Sequence, residues 1–137
     1  MRPRRPGAIL ERMPPRCLLV DDSTRFLEAA RAMLEHDGVE VVGVASTAED
    51  AIASVSRLDP DVVLVDIALG RDSGFELARR LDREVHGTSL HVVLISTHAR
   101  EDFAELIAVS PAAGFVSKSE LSGRAIRALM SRRDRPR

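Results

Sequence analysis

Short apolar runs alternate with helical patterns five times along the chain. Cys17-Leu18-Leu19-Val20 is an apolar run that ends in Asp21-Asp22. Phe26, Leu27, Ala30, Met33 and Leu34 then recur at the spacing of one helix face, and Asp37-Gly38 stops that helix. Val39 to Val44 is β-branched and strand-like. Ser46 with Glu49 has the form of a capping box, opening a helix whose Ala48, Ala51, Ile52 and Val55 share a face until Asp59-Pro60 breaks it. Val62 to Val65 is a third apolar run, ending in Asp66 and followed by the Gly-containing loop Leu69 to Asp72. Ser73 and Glu76 form a second capping box, before a helix facing inward with Leu77, Ala78, Leu81 and Val85. Leu90 to Ile95 is a fourth strand running into Ser96-Thr97, and Phe103, Leu106 and Ile107 mark a short fourth helix. Gly114 to Ser117 is a weaker fifth strand ending in Lys118, and Leu121, Ala125, Ile126, Leu129 and Met130 mark the last helix.

Strand–helix repeats of this kind predict an α/β fold with parallel strands and right-handed crossovers. The strands are apolar throughout, as strands are when helices cover both faces of the sheet. An eightfold barrel needs roughly 200 residues or more, so 137 residues exclude it and leave a doubly wound open sheet. Such sheets place their site at the carboxyl ends of the strands. Five chemistry-bearing residues fall there: Asp21 and Asp22 from strand 1, Asp66 from strand 3, Ser96 from strand 4 and Lys118 from strand 5. Three neighbouring carboxylates repel one another unless a cation sits among them. Hard oxygen ligands suit Mg²⁺, which keeps waters and takes further ligands from phosphate. A lysine and a hydroxyl beside them suit the oxygens of a phosphoryl group, so the edge reads as a place where phosphate is put on a carboxylate. A single Asp or Ser after a strand is more often a helix cap. The joint occurrence at four strand ends favours the chemical reading.

Composition sharpens this. Nineteen of the twenty basic residues are Arg, and Lys118 is the one lysine. Arg and Lys are not equivalent where a compact charge must reach a small anion. The net charge of −1 hides an acidic body between two Arg-rich ends, which is not the even basic face of a compact DNA-binding module. Four Phe, no Tyr and no Trp give little for base stacking. No run is long enough for a membrane span, and the one cysteine, Cys17, fits a core position in a reducing cytoplasm.

The motifs Leu19-Val20-Asp21-Asp22, Val63-Leu64-Val65-Asp66 with Gly74 eight residues on, Leu94-Ile95-Ser96 and Gly114-Phe115-Val116-Ser117-Lys118 together resemble the receiver domain of two-component response regulators. The resemblance covers about residues 16–131. Residues 1–15 are then expected to be a basic, disordered Pro/Arg-rich tail and 132–137 a basic tail or linker stub. The resemblance implies a five-stranded flavodoxin-like sheet in the order 2-1-3-4-5. It implies that Asp66 is the phosphoacceptor for a histidine kinase or phosphotransfer protein. Mg²⁺ would be held by Asp21, Asp22, Asp66 and the Ala68 carbonyl. Ser96 and Lys118 would contact the phosphoryl oxygens, and Phe115 would be the switch aromatic, moving inward as Ser96 is drawn to the phosphate. Ala68 and His98 would flank the path of the hydrolytic water, His98 being otherwise an ordinary exposed loop histidine. The chain departs from the family in having Gly70 where many members have Pro, and Ser119 after the lysine. It would be a phosphorylation switch that catalyses its own modification, not a turnover enzyme. It would act either alone through a downstream protein, or as the receiver of a larger regulator, with no DNA-binding domain in these residues and a phosphorylation-dependent homodimer by family resemblance. The alternatives are a phosphorylation-independent interaction module and a Mg²⁺-dependent hydrolase. The second lacks a cap insertion and has Ala68 where an acid would serve.

Overall fold

The computed structural model describes residues 14–85 and 90–133. Five parallel strands form one sheet: β1 (Arg16–Val20), β2 (Glu40–Ala45), β3 (Val62–Asp66), β4 (His91–Ser96) and β5 (Gly114–Ser117). Their order is β2-β1-β3-β4-β5, as the motifs imply. The helices are α1 (Thr24–His36), α2 (Ala48–Leu58), α3 (Gly74–Glu84), α4 (Ala104–Val109) and α5 (Gly123–Arg133).

Alternation along each strand divides the core in two. Cys17, Leu19, Val62, Leu64, Val93 and Ile95 pack with α1 and α5 through Leu27, Ala30, Leu34, Ile126 and Leu129. Leu18, Val20, Val63, Val65, Val92 and Leu94 pack on the other face with α2 and α3, through Ala51, Val55, Leu77, Ala78 and Leu81. Both strand faces are therefore buried, which is why the strands read as unbroken apolar runs.

The differences from the sequence expectations are local. The second and fourth strands each begin and end one residue later than the apolar runs suggest. The cap of α2 is Thr47, whose hydroxyl accepts the Asp50 N–H, not Ser46 with Glu49. Ser73 caps α3 as its motif implies, accepting from Glu76 N–H. Only six residues of α4 are helical, after a 3₁₀ turn at Arg100–Phe103. Phe103 and Ile107 pack against the core, whereas Leu106 is 49% exposed. One and a half turns present one narrow face, and residues 103 and 107 occupy it.

The expected tails fall largely at residues 1–13 and 134–137, outside the described residues. Pro15, assigned to the first tail, already serves the sheet, its carbonyl accepting the Glu40 N–H at 2.9 Å. Arg132 and Arg133, assigned to the second, lie within α5.

Candidate functional site

Parallel topology brings the ends of β1, β3, β4 and β5 to one edge. Asp21 and Asp22 leave β1 there, and Ser23 starts α1, its hydroxyl accepting the Phe26 N–H. Asp21 Oδ1 accepts the Ser23 N–H at 2.8 Å, which fixes that carboxylate, and the side chain is 1% exposed. Asp66 ends β3, and its Oδ1 accepts the Ala68 N–H at 2.9 Å. Asp22 is exposed. Carboxylate oxygens of Asp21, Asp22 and Asp66 all lie within 4.8 Å of one another.

Lys118 reaches into this group from the end of β5. Its Nζ lies 2.6 Å from Asp21 Oδ2 and 2.9 Å from Asp66 Oδ2. The same ammonium sits 4.1 Å from the centre of the ring of Phe26, a cation–π contact of a residue that the sequence places only on the apolar face of the first helix. Burial pushes the Asp21 carboxyl above its ordinary range, with the Asp66 charge adding to it, while Lys118 and the Ser23 N–H oppose. Burial pulls the Lys118 ammonium down, but hydrogen bonds to Asp21 and Asp66 outweigh it and its pKa is raised.

Ser96 is 2% exposed and its register places it beside Ser117, one step past the Asp66–Ile95 pair. Its hydroxyl oxygen accepts the His98 N–H at 2.9 Å. His98 and Ala68 are both exposed, and the His98 ring meets Phe103 edge-on at 5.8 Å between centres. Phe115 pairs with Leu94 and is 8% exposed, within the core cluster of Phe75 and Leu81. The expected inward movement of Phe115 therefore has no outward ring to start from here. A phenylalanine has no hydroxyl to hold it in water, so the core is its low-energy position.

Two features of the loop after Asp66 escaped the sequence reading. Ala68 and Leu69 pair antiparallel with Ser73 and Asp72, making a small hairpin. Gly70 turns it at φ +61°, a value closed to the proline found here in many members of the resembled family. Positive φ at the first turn position is the type II′ pattern, in which glycine is preferred. Gly74 lets α3 start against the acceptor strand, since a Cβ there would lie 2.3 Å from the Asp66 carbonyl oxygen.

A doubly wound sheet that gathers three carboxylates and a lysine at the carboxyl ends of its strands defines an α/β domain with its site at that edge. The sequence profile of the response regulator receiver domain matches residues 17–130, and the chain belongs to that family. It is 38% identical over 84 residues to an uncharacterized response regulatory protein of Yersinia pestis, covering 61% of this chain and 34% of that protein. It is 35% identical over 89 residues to the transcriptional regulatory protein BtsR of Salmonella typhi, covering 64% of this chain and 37% of BtsR. Protein PilH of Pseudomonas aeruginosa is 34% identical over 86 residues, 63% of this chain and 70% of PilH. The match thus spans little more than a third of the first two relatives. Among solved structures, a LuxR-family response regulator from an Aurantimonas species superposes with a TM-score of 0.74 at 26% identity, covering 86% of each chain. The receiver domain of NarL from Mycobacterium tuberculosis gives 0.76 at 24% identity, covering 86% of this chain and 97% of that one, and shares the fold. The chain is therefore a receiver domain of two-component signalling. Domains of this class are phosphoacceptor switches rather than turnover enzymes. Among the described residues no helix is long and apolar enough to cross a membrane.

Proposed function

We propose that Asp66 is the phosphoacceptor of this receiver, taking its phosphoryl group from a histidine kinase or phosphotransfer protein in a Mg²⁺-dependent reaction. The observation that carries this is the Lys118 ammonium, 2.9 Å from Asp66 Oδ2 amid carboxylates gathered within 4.8 Å. The donor set fits a hard divalent cation: all oxygen, with Asp21 buried at high electrostatic cost and Asp22 open to solvent. Asp21, Asp22, Asp66 and the Ala68 carbonyl would hold Mg²⁺, which when bound neutralises charge between the acceptor and the incoming phosphoryl group.

A carboxylate oxygen of Asp66 attacks phosphorus in line. An O–P bond forms, the P–N bond to the donor imidazole breaks with its electron pair staying on nitrogen, and that nitrogen takes a proton from water. Lys118 is already beside the acceptor oxygen and pairs with a phosphoryl oxygen as the acyl phosphate forms. Ser96 uses an oxygen lone pair for the His98 N–H and keeps its hydroxyl proton to donate to the phosphate. Ser96, Phe115 and α4 then carry the charge change outward, with Phe115 repacking within the core. Ala68 and His98, both exposed beside the acceptor edge, set how readily water reaches the acyl phosphate. The reaction belongs in the cytoplasm, where kinase and phosphodonor are found. The output is a downstream protein or a further domain of a larger regulator.

Intact mass after incubation with acetyl phosphate and Mg²⁺ tests the reading. Wild type gains one phosphoryl group, the gain is abolished by chelation, and Asp66→Asn gains none. Unchanged labelling of Asp66→Asn would overturn the assignment.

A further inference from the structure

The hairpin that follows the acceptor strand bonds to the carboxylate group at one point and passes close to it at another. Its Ala68 N–H donates to Asp66 Oδ1 at 2.9 Å. At its turn, a Cβ added to Gly70 would lie 3.3 Å from Asp22 Oδ2, so the turn backbone runs close beside that carboxylate. The returning strand is tied elsewhere: Asp72 Oδ2 accepts the N–H of Ala48, the first residue of α2, at 2.9 Å. Thr47 serves the Asp50 N–H, so the two side chains satisfy different donors at the same helix end. The helix dipole favours the Asp72 carboxylate at this position. The helix in turn is held firmly by Ala48, Ala51 and Val55 in the core.

We propose that Asp72 is a positioning residue for the divalent-cation site, clamping the Ala68–Ser73 hairpin to the start of α2. A ladder of two residue pairs closed on a glycine turn is too short to hold one conformation by itself. Without an external tie, ordering the hairpin would be charged to cation binding. With the tie, the backbone at Ala68 and Gly70 is set against Asp66 and Asp22 before a cation arrives. The inference rests on the Mg²⁺ reading above.

The test is isothermal titration of Mg²⁺ alone into the 137-residue chain, with Tm and the Ala48 amide resonance followed in parallel. Asp72→Ala is expected to weaken Mg²⁺ binding on the order of tenfold, the scale at which residues supporting metal ligands act. Asp72→Asn is expected to restore most of it, because its side-chain oxygen accepts the same N–H. Thr47→Ala, which weakens the same helix end without touching the hairpin, is expected to lower Tm and leave Mg²⁺ affinity unchanged. Wild-type affinity in Asp72→Ala with a Tm loss like that of Thr47→Ala would reduce Asp72 to a helix cap and overturn the proposal. Failure of Asp72→Asn to rescue would assign the loss to missing charge and overturn it equally. Absence of Mg²⁺ binding by wild type would instead bring down the metal reading itself, leaving the clamp nothing to position.

Discussion

Asp21 is the residue at which stability and chemistry pull apart. It is buried, its carboxyl is pushed up by that burial, and it faces the Asp66 charge. In Asp21→Asn, Lys118 keeps its bond to Asp66, so no charge is orphaned, and an amide oxygen still accepts the Ser23 N–H. The variant is expected to be more stable without metal by about 1 kcal/mol, a few degrees in Tm, while losing Mg²⁺ binding. The sign with pH follows from the raised pKa. The ionised form costs stability above the folded pKa, and the cost is relieved as pH falls through it. The Tm gap between variant and wild type should therefore narrow on acidification, and metal-free melting curves across pH check it. Lys118 has the opposite linkage: its raised pKa gives stability that is complete below the ordinary lysine value of 10.5 and lost as pH rises through the folded value. The separate residues at the strand ends were legible in sequence because parallel topology assigns them one edge. The Phe26–Lys118 and Asp72–Ala48 contacts were not, because each joins residues far apart in the chain whose own neighbourhoods explain them as core and loop.

At the scale of elements, the start of α3 is the tightest joint. A Cβ on Gly74 would lie 2.3 Å from the Asp66 carbonyl oxygen and 2.6 Å from Ile67 Cα, both backbone atoms with little room to yield. Gly74→Ala is expected to cost about 1–3 kcal/mol, read as a lower denaturant midpoint, and to displace the acceptor strand. Element types were legible because strands covered on both faces leave short unbroken apolar runs, whereas helices leave a period of 3.6. The ends were less so. Ser46 with Glu49 and Thr47 with Asp50 are equally good capping patterns, and the structure uses the second, next to the helix end that Asp72 holds. In α4, three apolar residues promised a wider buried face than six helical residues provide.

For the whole molecule, the helices are anchored unequally. Leu34 of α1, Ala51 of α2, Leu77 and Leu81 of α3 and Ile126 of α5 are fully buried, whereas α4 has no buried residue. That helix is the element a phosphoryl charge can move at least cost, and it exposes Val109 (73%) beside Leu106. We expect phosphorylation to shift it and to pair this face with a second copy. A rise in sedimentation coefficient with beryllofluoride and Mg²⁺ checks this, and identical sedimentation in both states would refute it. Strand order was within reach of the sequence through its motifs, but the uneven hold on the helices was not, since it depends on side chains meeting across the sheet.

The composition gives the switch a reporter of its own. Within these 137 residues, a lysine-specific protease has a single target, the bond between Lys118 and Ser119. That bond lies at the head of a 3₁₀ turn, and its lysine is tied down by two carboxylates. Cleavage therefore requires the ion pair to let go and the backbone around it to open, and the rate of cutting in a short digest tracks how readily this end of β5 does so. The ammonium that balances the site is also the handle by which its opening can be timed, with no label added.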